Sequence, residues 1–205
     1  MSRAQAGGPI VEVARLSPSF RPLVGISLIT RTPSLYNAAP NPPLYTSFDE
    51  NMPLRNLPLV VDTVPGAAAI KQYIDRTEWA QQSANPAAYA PNIRTAVIFQ
   101  FARGDKTVPN PTTSAILRAC DCVPHATLFR NDLAYAINPV AVPKNPHTFL
   151  TNIAVPAVAL YALQAQRQIA TFFASDGILT IDPDGPGPIF ETPTSMIPED
   201  LDFIP

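Results

Sequence analysis

Ala96-Val97-Ile98-Phe99-Gln100-Phe101, followed at once by Ala102-Arg103-Gly104-Asp105-Lys106-Thr107-Val108-Pro109, decides the fold of this chain. The first six residues are a continuous apolar run of strand length broken only by Gln100, the pattern of a strand covered on both faces in a parallel sheet. Glycine and aspartate then supply a turn, and a helix is expected over 111–120, where Pro111 is tolerated in the first turn because its missing N–H has no helical partner there. Downstream, 126–129 (Ala-Thr-Leu-Phe) reads as a further strand. After a proline-rich loop, a helix with Pro156 in its first turn runs to Ser175, where Asp176-Gly177 stops it.

Upstream, 8–16 places Ile10, Val13 and Ala14 on one helical face, and Ser17-Pro18 ends the helix because proline cannot continue the ladder. Residues 23–30 (Leu-Val-Gly-Ile-Ser-Leu-Ile-Thr) form another apolar, β-branched run and are expected to be a buried strand. Between 31 and 94 the prolines at 33, 40, 42, 43, 53, 58 and 65 interrupt any long element. Short helices are expected at 66–76 and 77–83, with Asp75 or Thr77 as a cap. A connection of this length is too large for a simple loop, so 31–95 is expected to be a cap or lid inserted between strands. The alternation of strand and helix implies an α/β domain over 1–181 with a parallel sheet and right-handed crossovers. Residues 182–205, rich in Pro, Asp and Glu, read as an extended tail.

At 205 residues and 46% apolar content the chain can bury a core. A formal charge of -2, with Lys and Arg scattered singly, argues against a nucleic-acid partner. The longest apolar stretch, 154–163, is about half of the roughly 20 residues a membrane helix needs. Cys120 and Cys122, two apart at a helix end, have diverging Cβ vectors at that spacing, so they are expected to be structural thiols without a mutual disulfide, and no metal is expected. The N-terminus has the character of neither a signal nor a transit peptide.

Ligands of open α/β sheets bind beyond the carboxyl ends of the strands, which draws attention to Asp105 and to His147 in Val142-Pro143-Lys144-Asn145-Pro146-His147-Thr148-Phe149-Leu150. An aspartate on one strand-end turn and a histidine on the next such loop suit the orientation of an imidazole for acyl transfer. Asp132 is the second choice for the acid. His125, just before a strand, reads as structural.

On these residues the run from Ser2 to about Phe173 resembles the C-terminal half of an α/β-hydrolase of the esterase and lipase type: strand 6, cap, strand 7 with its Gly-Asp-x-x-Val-Pro acid turn, strand 8, histidine loop and final helix. The resemblance implies a serine-hydrolase-type carboxylic ester hydrolase with Asp105 as triad acid and His147 as general base, no cofactor, and a small ester or lipid-like substrate selected by Tyr36, Tyr45, Phe48 and Trp79 of the cap. The family's elbow, G-x-S-x-G, falls on Ser2-Arg3-Ala4-Gln5-Ala6-Gly7-Gly8 when counted back from Ser17-Pro18. The nucleophile position is then Ala4, which has no hydroxyl, and Gln5 would lend an oxyanion N–H. The resemblance therefore implies a catalytic unit lacking its N-terminal half, either a fragment or a chain that pairs with a second polypeptide, and weak or inactive alone. The alternative is a non-catalytic binding protein of the same fold.

Overall fold

A computed structural model describes residues 2–4, 10–20, 22–23, 26–27 and 67–205. The chain divides into two compact units, one formed by Met1–Gly8 with Pro86–Pro205, the other by Pro9–Asn85.

The first unit is built on a mixed sheet in the order β1 (Ser2–Ala4), β2 (Ile98–Ala102), β3 (Ala126–Phe129), β4 (Phe190–Glu191). The first three strands are parallel, with Arg3 in register with Phe99 and Phe99 with Ala126; β4 runs antiparallel to β3 and pairs Phe190 with Phe129. The expected strands at 96–101 and 126–129 are therefore present, and every residue of β2 and β3 is buried. Burial on both faces follows from their period-two alternation. Phe99, Phe101, Ala126 and Leu128 pack with Ile116 and Leu117 in one cluster, whereas Ala102 and Phe129 pack with Val158, Ala165 and Phe190 in another. Each large apolar side chain removed from water in this way contributes about 1.5–3 kcal/mol before entropy is counted.

Besides contacts to the Ala165 carbonyl at 3.0 Å and to Thr192 Oγ1 at 2.9 Å respectively, the polar residues of β2 and β3, Gln100 and Thr127, share a partner, Gln168. It donates through Nε2 to Thr127 Oγ1 at 2.8 Å and to the Ile181 carbonyl at 2.5 Å, while its Oε1 accepts from Gln100 Nε2 at 2.6 Å. Gln168 lies on the long helix Pro156–Ala174, so the network fixes that helix against the sheet. The helix stops as expected: Asp176 and Gly177 take positive φ, and the Gly177 N–H donates to the Phe172 carbonyl at 2.8 Å, satisfying a helix-end acceptor.

Helices are numbered in chain order: α1 (Ile10–Leu16), α2 (Ala67–Gln81), α3 (Pro86–Tyr89), α4 (Asn110–Ala119), α5 (Asn131–Ile137) and α6 (Pro156–Ala174). In the second unit α1 lies against α2, and Ser17 ends α1 by donating its N–H to Val13 at 2.9 Å. The two helices expected at 66–76 and 77–83 are one continuous helix. Thr77 does not cap it; its hydroxyl donates back to the Tyr73 carbonyl at 2.8 Å.

Two further expectations are corrected. Residues 22–23 and 26–27 are helical, not part of a buried strand, and Leu23 and Ile26 are 64% and 54% exposed. Pro22 explains the change, because its fixed φ suits the first helical position and a short apolar run has no periodicity to oppose it. The strand beside β2 is Ser2–Ala4. Residues 182–205, expected as an extended tail, contribute β4: Asp184 accepts the N–H groups of Ile189 and Phe190 at 2.8 and 3.2 Å and delivers Phe190 to that strand. Finally, Cys120 and Cys122 are joined by a disulfide. Helix α4 has already ended at Ala119 and Asp121 takes φ +53°, so the chain folds back and brings the two Cα atoms to 5.1 Å, within bonding range.

Candidate active site

The acid turn leaves β2 under tight control. Gly104 adopts φ +75°, donates its N–H to Asn110 Oδ1 at 2.7 Å, and lies so close to the chain at Asp202 that a Cβ would stand 2.5 Å from that carbonyl oxygen. Asn110 in turn donates to the Ala102 carbonyl at 2.7 Å, closing the turn onto the last residue of β2. Replacing Gly104 with alanine is expected to cost about 1–3 kcal/mol, from the left-handed backbone and from displacement of residue 202, read as a lowered denaturation midpoint. An unchanged midpoint would contradict this account of the turn.

Asp105 follows, only 1% exposed. One carboxylate oxygen, Oδ1, accepts the N–H groups of Thr107 and Val108 at 2.7 and 2.9 Å. The other, Oδ2, meets His147 Nδ1 at 3.0 Å. The imidazole therefore presents Nδ1 to the acid, and about a third of the His147 side chain remains open to solvent. The two residues singled out from the sequence are brought together within hydrogen-bond distance.

The histidine loop is held from below. Phe149 is buried and stacks on Phe129 at the end of β3, with centroids 4.8 Å apart and planes 14° from parallel. Tyr161 and Phe190 pack around the same Phe129 ring. Asn131 donates to the Pro143 carbonyl at 3.2 Å, and the Phe149 N–H to Pro146 at 2.8 Å. Phe129, Val142, Pro146, Phe149 and Tyr161 line one shared hollow, so the apolar residues of the loop pack against the end of β3 and against α6.

Asp132 is engaged elsewhere. Both its oxygens receive Arg130, at 2.9 and 2.7 Å, and Arg103 approaches at 3.6 Å. Burial pushes its carboxyl upward, but the hydrogen bonds and charge of Arg130, with the charge of Arg103, outweigh that and hold it below the ordinary value. The hydrogen bond to Asp132, and that to Glu191, raise Arg130 further despite its partial burial. A carboxyl depressed on folding contributes stability above its unfolded pKa and loses it as pH falls through the folded value. Asp132→Asn is therefore expected to cost about 1 kcal/mol at neutral pH, a figure already reduced by solvent screening, and the gap should close in acid below 3.8. Chemical denaturation of both proteins across pH checks this; a gap that persists in acid would contradict it.

Ala4 ends β1, in register with Gln100, and Gln5, Tyr36, Tyr45 and Phe48 lie outside the described residues. Trp79 belongs to the second unit and is 80% exposed. His125 is exposed at the end of a short 3-10 turn, Val123–His125. Among the described residues no cluster of side chains suits a metal ion, and no helix is long and apolar enough to cross a membrane.

Sequence reasoning missed two participants. Asn145 hydrogen-bonds both the acid turn and the histidine loop, accepting from Lys106 N at 3.0 Å and from His147 N at 3.3 Å and donating to Thr107 Oγ1 at 3.1 Å. The chain's last residues reach the same two loops: Arg103 pairs with Asp202 at 3.1 and 3.2 Å, Lys106 Nζ donates to the Ile204 carbonyl at 2.6 Å, and Lys144 Nζ to that of Pro205. Only the Asn-Pro-His triplet was a legible signal, since asparagine before proline favours a turn. Comparison with known proteins finds no matching family model, no matching curated protein and no matching solved structure.

Proposed function

We propose that this chain carries the acid and the general base of a serine-hydrolase-type carboxylic ester hydrolase acting on small or lipid-like esters. The observation that carries the reading is the 3.0 Å contact between His147 Nδ1 and an Asp105 carboxylate whose other oxygen is pinned by two backbone N–H groups. A buried acceptor fixed in this way holds the proton of the imidazole on Nδ1 and leaves Nε2 basic. Nε2 then takes the proton of an attacking hydroxyl as its oxygen bonds to the ester carbonyl, and returns it to the alcohol as the C–O bond breaks.

The sheet order bears on the nucleophile. β1 pairs directly with β2, the strand that leads into the Asp105 turn, the place that strand 6 holds in the α/β-hydrolase resemblance. On this reading Ala4 is not the nucleophile position. The nucleophile would leave a parallel strand hydrogen-bonded to the outer edge of β1, where the described residues place none.

The chain alone offers a first test, because an oriented imidazole hydrolyses activated esters without a serine. Turnover of p-nitrophenyl acetate and butyrate above the buffer rate is expected, lost in His147→Ala and reduced about tenfold or more in Asp105→Asn. Hydrolysis that survives both substitutions would refute the proposal. Binding of a non-hydrolysable ester analogue without any turnover would favour the non-catalytic binding protein.

A further inference from the structure

We propose that Asn145 is a positioning residue that sets the Asp105–His147 pair by fastening the acid turn to the histidine loop, an inference that rests on the hydrolase reading and deepens it. Asp105 and His147 stand on two segments outside regular secondary structure, one leaving β2 and one following α5, so no sheet ladder or helix fixes their separation. The Asn145 carboxamide supplies that constraint. Its Oδ1 accepts from the N–H of Lys106, the residue after the acid, and from the N–H of the histidine itself; its Nδ2 donates to the Thr107 hydroxyl.

The orientation of the amide follows from its partners. Two backbone N–H groups face one end, and only the oxygen can accept from both, while the hydroxyl at the other end accepts from nitrogen. The bonds close a ring. Asp105 is held to Thr107 and Val108 by Oδ1, Thr107 and Lys106 are held to Asn145, Asn145 is held to the His147 backbone, and the His147 ring returns to Asp105 Oδ2. Each member is thereby oriented by its neighbours before any substrate arrives, the condition that lets a proton-transferring group act without reorganisation. A side chain of another kind would leave part of the ring open: alanine offers neither acceptor nor donor, and a hydroxyl is too short to span both loops.

The test reads the imidazole directly and needs no turnover. The full chain carrying His125→Gln has His147 as its one imidazole, and its nitrogen shifts give the ratio of Nδ1–H to Nε2–H in the neutral ring. The Nδ1–H form is expected to dominate. Asn145→Ala should lower the ratio about threefold to tenfold, the effect of loosening roughly one hydrogen bond, and Thr107→Val about twofold. Ser114→Ala removes a hydrogen bond to the Pro198 carbonyl in the same unit and should lower the melting temperature while leaving the ratio unchanged. An unaltered ratio in Asn145→Ala, or an equal fall in Ser114→Ala, overturns the proposal; should Asn145→Ala not fold, an unaltered ratio in Thr107→Val does so. Dominance of Nε2–H before any change at Asn145 would instead break the Asp105–His147 pairing, and with it the hydrolase reading.

Discussion

Asp105→Ala should destabilise the first unit by about 2–5 kcal/mol, and Asp105→Asn by about 1 kcal/mol or less, while both disarm His147. Alanine strips acceptors from the N–H groups of Thr107 and Val108 and from the imidazole, in a place only 1% exposed. Asparagine keeps an oxygen for the two backbone donors and turns its NH₂ toward His147. That group cannot accept from Nδ1–H, so the ring must carry its proton on Nε2, where a general base needs a lone pair. On the proposed hydrolase reading, the same exchange at a triad aspartate is worth about 10⁴ in kcat. Denaturant midpoints paired with imidazole nitrogen shifts separate the two effects; equal stability losses in the two variants would show that the turn does not depend on the carboxylate oxygen.

Phe149→Ala is expected to cost about 3–5 kcal/mol, the range for deleting a buried aromatic ring. The ring is 6% exposed, stacks on Phe129 and closes the aromatic group that includes Tyr161 and Phe190. Its loss leaves the end of β3 uncovered two residues after His147. The account therefore expects faster amide exchange over 142–149 together with the fall in stability. Phe149→Leu, which keeps most of the volume, should recover more than half of the loss. A stability change under about 1 kcal/mol in Phe149→Ala would mean that the loop is anchored by other contacts.

The acid strand, its turn and the helix after it were legible because three signals agree there: a buried apolar run, glycine where φ must be positive, and proline in a first helical turn. The run at 23–30 misled because eight residues, five of them apolar, fit a strand or a helical segment equally, and Pro22 was the local arbiter. Helix α5 went unseen in a stretch whose polar start, Asn131-Asp132, resembles a loop. The disulfide was hidden for a different reason. Two cysteines spaced two apart diverge in any regular element, and only the left-handed Asp121 between them reverses that. Asn145 shows the wider limit: periodicity marks which residues enter the core, but loop side chains that fasten one segment to another follow no period.

The central claim is the pairing of Asp105 with His147, and a crystal structure of the chain measures it directly. The account predicts His147 Nδ1 at about 3.0 Å from Asp105 Oδ2, with Oδ1 turned to the N–H groups of Thr107 and Val108. Side chains separated beyond the 3.5 Å reach of a hydrogen bond, with Asp105 turned to another cation, would contradict it.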